Sequence, residues 1–494
     1  MSIKAEYQTE SYVRKITQIS SQSVVECRFS FGDGVSEILA VCPQVSPAGC
    51  EVSSGRVNYG GRLICTAVYA DVNGKLGRAQ KGAEFTHFAD DACLAPAQTA
   101  FCNLSCERCS VRRDGSSFLV TAVISAQIDV YGPAERTCLV SCEGAVCRTE
   151  PVKMLSAITF SGESEVEDDF EAAGVDDILM HDAKVIVTDC RCGAGEIRIS
   201  GEIYLSLLAV RGEEQAALDR VIPYSAEILC DDAIVPCRAL CRAQIKDINV
   251  AAQVNEERGR CSVNFSAQLA FYGEFYEERE VYAATDAFRT DGEADLHFAC
   301  ERTVKCGDVK VYSERVSGAC SVKAKIDYGC TFRVALAPRA ECTYSADTGI
   351  LEGGVSFVLI YARNGETHST EVTLPFSVKL NGGESLTVTE VAVNGISVRQ
   401  RAEGECEAEA TLKITAAVLV PETCSYITEI GDGEDSENQP CAVTVLIPGG
   451  GETLWSAAKR LKMTPEEVAA ACGAEVSFPL KGDERIVIYR PKAE

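Results

Sequence analysis

A nine-residue segment that recurs three times constrains the fold of this 494-residue chain more than any other feature. The copies begin at Gly61, Gly201 and Gly353, spaced 140 and 152 residues apart, and each continues with mostly apolar residues. A glycine-bearing turn follows every copy, as Asn73-Gly74, Arg211-Gly212 or Asn364-Gly365. Turns of this kind between two extended segments predict β-hairpins. We therefore expect the same hairpin in three places.

A second segment recurs in the same register. Ser125–Gly132 matches Ser266–Gly273 at a spacing of 141 residues, and a more divergent third copy lies around Glu405–Val418. Apolar and polar residues alternate along these segments, which is the pattern of antiparallel strands with one buried face. We predict a mainly β fold, with three tandem antiparallel β-sandwich or barrel-like repeats followed by a small βααβ domain. Each repeat is long enough to hold a core of its own.

The predicted boundaries follow the repeats and two acidic stretches. The three β-rich repeats are residues 1–150, 151–290 and 291–430, an acidic linker is 431–440, and the small domain is 441–494. Residues 163–177 carry eight acidic residues and no basic one, so we expect a solvated linker at the start of the second repeat. For both acidic stretches the alternative is a docking surface for a basic partner.

The last 54 residues, which we call the tail (residues 441–494), differ in composition from the rest. They hold seven basic and seven acidic residues, so the formal charge of −26 resides in residues 1–440. Their pattern predicts a strand over Cys441–Ile447, a helix over about Thr453–Leu461, a second helix and a closing strand over Arg485–Tyr489. The second helix opens at Thr464-Pro465, where a capping box ends at Glu467.

Charge and composition exclude several classes of function. A chain with a charge of −26 is repelled by phosphate backbones and anionic lipid, so we expect no nucleic-acid binding. No apolar run approaches the ~18 residues that a membrane helix needs, so no membrane insertion is expected. The first residues lack an apolar export segment, which favours a cytoplasmic protein. With four histidines and no phosphate-loop motif, the chain is not expected to be an enzyme or to bind a cofactor.

The 26 cysteines are expected to be mainly reduced thiols. Several occupy inward strand positions, where a thiol behaves as a small apolar group: Cys65, Cys261 and Cys406. One alternative is a zinc site, built from Cys93, Cys102, Cys106 and Cys109. Another is a set of local disulfides, at pairs such as Cys190/Cys192 or Cys138/Cys142. No metal site is predicted.

The tail resembles a LysM domain. The matching segments are Pro448–Trp455, Ala457–Arg460, Thr464–Ala471, Phe478–Gly482 and Ile486–Ile488. LysM domains bind N-acetylglucosamine-containing glycans in a shallow groove between the loop after the first strand and the loop after the second helix. The resemblance therefore implies partner- or glycan-binding residues in these two loops, namely Gly451, Glu452, Thr453, Leu454, Trp455, Phe478, Pro479 and Leu480. The alternative is core packing for Leu454 and partial burial for Trp455.

Two departures from the LysM pattern favour a protein partner over a glycan. Glu452 stands where the family has aspartate, and Ala471-Cys472 replaces the asparagine that closes the second helix. Trp455 is the only tryptophan of the chain. An indole beside a groove serves either a sugar face or a protein interface.

The repeats resemble the SPOCS family, formerly DUF3794. The resemblance rests on the glycine-led strand that runs into Tyr361–Gly365 and on Leu374-Pro375-Phe376. SPOCS repeats followed by LysM imply a non-enzymatic scaffold or adaptor of the spore envelope, in the mother-cell cytoplasm at the forespore surface, which binds a coat ATPase through its LysM-like domain. The alternatives are a cell-wall protein that binds peptidoglycan and an extracellular or phage structural β-repeat protein.

Overall fold

A computed structural model describes most of the chain. The described residues are 3–30, 34–115, 117–212, 214–255, 260–322, 329–383, 385–402, 405–435, 443–473, 477–480, 482 and 485–489. Within these ranges the fold is mainly β, as predicted: the strands pair antiparallel, and the helices are short. Among the described residues, no helix has the length and apolar character to cross a membrane.

The first unit comprises six strands in two three-stranded sheets. The strands are β1 (Lys4–Ser30), β2 (Val35–Ser53), β3 (Arg56–Asp71), β4 (Leu76–Asp90), β5 (Thr99–Asp114) and β6 (Ser117–Glu143). One sheet has the order β2-β3-β4 and the other the order β1-β6-β5. The two outer strands of the sequence, β1 and β6, are 27 residues long and pair along their whole length.

The second unit has the same order of long and short strands, with one short addition. Its strands are β7 (Val146–Ala173), β8 (Asp177–Gly193), β9 (Glu196–Arg211), β10 (Glu214–Leu229), β11 (Cys237–Arg238), β12 (Leu240–Asn255) and β13 (Arg260–Phe288). The sheets have the orders β10-β9-β8-β11 and β12-β13-β7. The long strands β7 and β13 pair with each other, as β1 and β6 do in the first unit.

The third unit also begins and ends with a long strand. Its strands are β14 (Gly292–Val322), β15 (Cys330–Ser345), β16 (Ile350–Arg363), β17 (Glu366–Lys379), β18 (Leu386–Ala402) and β19 (Glu405–Asp435). A short pairing between β14 and β17 joins its two halves into one sheet with the order β15-β16-β17-β14-β19-β18.

Alternation along the strands creates a core in each unit. In β13, every second residue from Val263 to Phe271 is buried, while the residues between them are half-buried or exposed. These side chains meet those of the short strands, such as Ile199 and Leu205 of β9, in one hydrophobic cluster. Equivalent clusters lie in the first and third units. Burial of one face per sheet therefore stabilises each unit.

The acidic stretch of the second unit is not the solvated linker that its charge predicted. Residues 163–173 belong to β7 and pair with β13. Their acids at odd positions, from Glu163 to Glu171, are exposed, whereas Val166 and Ala172 on the other face are buried. Because the cross-strand partners of the first three acids are Ala270, Gln268 and Ser266, like charges do not face each other.

The second acidic stretch is also part of a strand at its beginning. Residues 431–435 belong to β19, which pairs there with β14. The prediction of a linker over 431–440 is therefore wrong for its first half. Its second half, residues 436–440, lies outside the described residues.

Equivalent residues of the three units meet at the centre of the molecule. Val68, Leu208 and Ile360 are each the eighth residue of the recurring segment, and all three are 0% exposed. They belong to a single hydrophobic cluster that includes residues of β2, β8 and β15. The three units consequently surround a shared core instead of lying in a row.

The outer ends of the long strands form a second shared core. Cys138 of β6, Met154 of β7, Ala283 of β13 and Tyr426 of β19 are buried together in one cluster. Each unit therefore contacts the other two through both its short strands and its long strands. Two separate apolar cores fix the relative positions of the units.

The tail has one strand, two helices and a second strand in sequence. These are β20 (Val443–Leu446), α1 (Leu454–Leu461), α2 (Pro465–Cys472) and β21 (Ile486–Tyr489). The strands pair antiparallel. Thr453 and Thr464 cap the two helices, and each forms a capping box with the residue three positions later. Leu446, Ala457, Val468, Leu480 and Ile488 form the core of the tail.

Candidate functional site

The two loops that the sequence singled out in the tail lie side by side. The Gly451 amide donates to the carbonyl of Leu480 at 2.8 Å, and the Leu480 amide donates to the carbonyl of Glu452 at 2.9 Å. These two bonds form an isolated antiparallel bridge between the loop after β20 and the loop after α2. The structure therefore brings together residues that are almost thirty positions apart in the sequence.

Glu452 stabilises the first loop from inside. Its side chain is only 10% exposed, and its Oε2 accepts hydrogen bonds from Arg460 Nη2 at 3.0 Å and from the Gly449 amide at 3.1 Å. A carboxylate that is held by a guanidinium and a backbone amide has most of its acceptor capacity in use. The role of Glu452 is thus to shape the loop, and little of it faces solvent.

Thr453 and Leu454 are also engaged within the tail. The Thr453 hydroxyl accepts a hydrogen bond from the Ser456 amide at 3.2 Å and so caps α1. Leu454 is half-buried and packs against the tail core, which is the alternative that the sequence left open for it. Both residues therefore organise the beginning of the helix.

Trp455 faces the end of the long strands of the second unit. Its Nε1 donates to Asp286 Oδ2 at 2.8 Å, and its ring contacts Phe288 edge to face with ring centroids 5.2 Å apart. Lys459 Nζ lies 2.6 Å from the other oxygen of Asp286. Burial alone would raise the pKa of Asp286, but the hydrogen bonds from Lys459 and Trp455 outweigh it and hold that pKa below its ordinary value.

A further contact holds the tail on the same surface. Lys462 Nζ donates to the carbonyl of Gly292, at the start of β14, at 3.1 Å. Phe288 of β13 is buried within the tail core itself, and Val146 of β7 packs against it. The tail is therefore docked onto the ends of three long strands, and Trp455 belongs to this internal interface.

The second loop contributes mostly core residues. Leu480 is buried, Phe478 is half-buried against the tail core, and Pro479 is exposed. Of the eight residues that the LysM resemblance implies, the exposed ones are Gly451, Thr453 and Pro479. The loops meet as the resemblance implies, but their larger side chains face inward.

An exposed apolar strip lies on the outer face of the tail sheet. It consists of Val443, Val445, Ile447 and Val487, whose exposed fractions are 49%, 53%, 63% and 42%. Val445 and Val487 are cross-strand partners. Sequence reasoning missed this strip because nearly every residue of β20 is apolar, so alternation alone does not identify the face that packs inward.

A cavity of about 930 Å³ opens between the three units. It is lined mainly by residues of β2, β5, β8, β12, β15 and β18, which include several charged side chains. Arg339 Nη2 donates to the carbonyl of Pro43 at 3.4 Å. Burial by itself would lower the pKa of Arg339, but the nearby charge of Asp182 helps to raise it. Glu390 Oε2 accepts from the Val187 amide at 3.0 Å, and burial raises the pKa of Glu390. These charges join one unit to another.

The cysteines are mostly thiols, with one disulfide among the described residues. Cys142 and Cys147 are bonded across the turn between β6 and β7, with Cα atoms 6.6 Å apart. The suggested Cys138/Cys142 pair is therefore wrong. Cys142 is bonded to Cys147 on the neighbouring strand β7, whereas Cys138 lies on the same strand as Cys142. The Cys138 thiol instead donates to the carbonyl of Gln8. Cys190 and Cys192 are both thiols.

The sequence also predicted that three cysteines are buried thiols, and it left a four-cysteine zinc site as an alternative. Cys65, Cys261 and Cys406 are buried, as their places in the alternation predicted. Within the ranges that the structure describes, no group of three or more His, Cys, Asp or Glu side chains is arranged to hold a metal ion. The four cysteines considered for zinc therefore do not form such a group.

Comparison with known proteins identifies no relative of this chain. No protein-family model, no curated protein and no solved structure matches the chain. The docked tail and its apolar strip are therefore the features of this chain that bear most directly on its function.

Proposed function

We propose that this protein is a non-enzymatic scaffold or adaptor of the spore envelope, which binds a coat morphogenetic ATPase through its LysM-like tail. The proposed location is the mother-cell cytoplasm, at the forespore surface. The basis is the resemblance of the repeats to the SPOCS family and of the tail to LysM domains, a combination similar to a clostridial spore coat morphogenetic protein. The three β units, which we call the body, would then form a rigid support, and the tail would bind the partner.

The order of strands supports the proposal that the body consists of three copies of one SPOCS-like module. In each unit a long strand is followed by shorter strands and by a second long strand that pairs with the first. The eighth residues of the recurring segment occupy one cluster. Duplication of a single module accounts for this register most simply.

Two features of the tail support a LysM-like module. Its elements follow in the order strand, helix, helix, strand, and the strands pair with each other. Its two binding loops are joined by the bridge between Glu452 and Leu480. These features also fit the second candidate, a cell-wall protein that binds the N-acetylglucosamine units of peptidoglycan.

The apolar strip is the observation that favours a protein partner. Branched aliphatic side chains are costly to leave in water and pack well against other apolar side chains, whereas a glycan presents many hydroxyl groups. Meanwhile the indole N–H of Trp455 and the carboxylate of Glu452, which could bind a sugar, have partners within the chain. The strip Val443, Val445, Ile447 and Val487 is therefore the proposed contact surface.

The test is a binding titration of the full chain against the purified coat ATPase. Val445→Asp introduces a charge in the middle of the strip, and we expect it to weaken binding at least about tenfold, or ~1.4 kcal/mol. Ala470→Asp, on an exposed position of α2, is the matched control and should bind like the wild type. Absence of binding by the wild-type chain, or equal binding by both variants, would reject the proposal.

Insoluble peptidoglycan serves as the parallel bait. The proposed scaffold should remain in the supernatant, because its groove residues are engaged within the chain. Retention of the wild type and of Val445→Asp alike would favour the glycan-binding candidate instead.

A further inference from the structure

Four cysteines gather where the second unit crosses from one sheet to the other. Cys190 and Cys192 lie on β8, Cys237 lies on β11, and Cys241 lies at the beginning of β12. In the pairing of β8 with β11, Cys192 and Cys237 are directly opposite each other. The pairing continues as the Ala239 amide donates to the carbonyl of Cys190 at 3.3 Å. This cluster is independent of the proposed function and carries an inference beyond it.

One pair of cysteines in the cluster lies directly opposite across two strands. Cys192 and Cys237 are cross-strand partners, and each side chain shifts the pKa of the other. Cys190 and Cys241 are both buried, and the Cys241 thiol donates to the carbonyl of Arg242. Directly opposed residues of an antiparallel pair have Cα atoms about 4.5–5.5 Å apart, which is within the range that a disulfide spans.

The two thiols of the cross-strand pair differ in their ionisation. Hydrogen bonding with Cys192 lowers the pKa of Cys237, opposed by burial and assisted by the charge of Lys305. The same hydrogen bond, together with burial, raises the pKa of Cys192. Cys237 is also half-buried while Cys192 is buried. One thiol is therefore the more accessible nucleophile, and its neighbour is placed to react second.

We propose that Cys192 and Cys237 form a redox-active dithiol that closes to a disulfide by exchange with a low-molecular-weight disulfide. The Cys237 thiolate attacks one sulfur of the disulfide RSSR, the S–S bond breaks, and RS⁻ leaves. Cys192 then releases its proton, attacks the Cys237 sulfur of the mixed disulfide and displaces the second RS⁻. The two thiols are oxidised to one disulfide, and RSSR is reduced to two RSH.

The disulfide would fix a connection that is only lightly held. Residues 230–239 rest on the edge of β8 through the two-residue strand β11 and a few backbone hydrogen bonds. Ile234 and Val235 of this connection are largely exposed. Closing Cys192 to Cys237 would tie the segment to β8, so oxidation should slow its cleavage by a protease that prefers apolar residues.

The experiment uses the full wild-type chain in mixtures of oxidised and reduced glutathione. After acid quenching, alkylation and digestion, mass spectrometry identifies the linked peptides. Cys93, an exposed thiol in a turn, is the reference, and its conversion to a glutathione adduct is followed in the same mixtures. We expect the Cys192–Cys237 link to form already in mixtures that are too reducing to modify Cys93. Alkylation of both cysteines in mixtures that modify Cys93 fully, or a Cys190–Cys192 link, would overturn the proposal.

Two variants complete the test: the first identifies the order of the steps, and the second is a control. In Cys192→Ala the second thiol is missing, so Cys237 should accumulate as a glutathione adduct. Cys261→Ala removes another buried cysteine of the same unit and should leave the Cys192–Cys237 link unchanged. The peptide map of the wild-type chain decides the question even where a variant fails to fold.

Discussion

Single buried charges join the three units at the residue scale. The side chain of Arg136 is 3% exposed, and its Nη1 lies 3.2 Å from Glu301 Oε2. Its Nη2 donates to the carbonyl of Leu155 at 2.9 Å, and its guanidinium carbon lies 3.7 Å from the ring centroid of Tyr12. Tyr426 donates to the other oxygen of Glu301 at 2.6 Å. One arginine of the first unit therefore contacts both other units.

Replacing Arg136 with methionine should destabilise the whole molecule. The change keeps the apolar stem but leaves Glu301 as a charge without its buried counterion, which costs about 3–5 kcal/mol. Chemical denaturation of both proteins measures the difference. Arg399→Met removes an arginine whose side chain is 78% exposed and pairs with Glu407 on the surface, and it should change stability by no more than about 0.5 kcal/mol. Equal stability of both variants would contradict this account.

At the scale of elements, sequence periodicity predicted more than composition did. The recurring segment, its turns and the alternation of β13 were all visible, and each predicted strand corresponds to a strand of the structure. The great length of β7 and β19 was not visible, because their outer halves pack in a core shared among units that are distant in sequence. The acidic stretch was misinterpreted because five of its eight acids, at odd positions from Glu163 to Glu171, lie on the exposed face of β7, while the opposite face is packed in the core.

The same reasoning limits what could be predicted of the candidate site. The neighbourhood of Glu452 and Leu480 followed from the resemblance to LysM domains, since local segments carry that pattern. The partner of Trp455 did not, because Asp286 is 169 residues away and no local signal connects them. Docking of one domain on another is a long-range property that periodicity does not encode.

A substitution in β7 tests whether its acidic part is a strand. Val166 is buried against the core of the second unit, so Val166→Asp would place a carboxylate there without a partner. We expect a loss of stability of at least about 2 kcal/mol, measured by denaturation. Glu165→Asp changes the exposed neighbour and should be nearly neutral. A neutral Val166→Asp would instead favour the solvated linker.

At the scale of the whole molecule, the three units and the tail form one connected body. The central cluster joins the short strands, the second cluster joins the long strands, and the tail rests on the ends of those long strands. A partner that binds the outer strip of the tail would therefore be held at a defined position relative to the acidic body. This geometry would suit the proposed scaffold, because a bound partner would be held in place without a conformational change.

Docking of the tail should be visible in the fluorescence of Trp455, the only tryptophan of the chain. Asp286→Ala removes the acceptor of the indole N–H and the counterion of Lys459, so the indole should become more hydrated and its emission should shift to longer wavelength. Asp295→Ala is the control. It removes an exposed carboxylate on β14 and should leave the emission unchanged.

Acidification should produce the same shift in the wild-type protein. Because the pKa of Asp286 is lowered in the docked state, its contribution to docking is complete above the pKa of a free aspartate, about 3.9, and is lost as the pH falls through the lower value of the docked state. The shift should therefore begin below a pH of about 4 and be absent from Asp286→Ala, whose emission is already shifted. An emission maximum that is the same in both proteins at neutral pH would show that the indole is not held by Asp286, and the tail would then be free to present Trp455 to a partner.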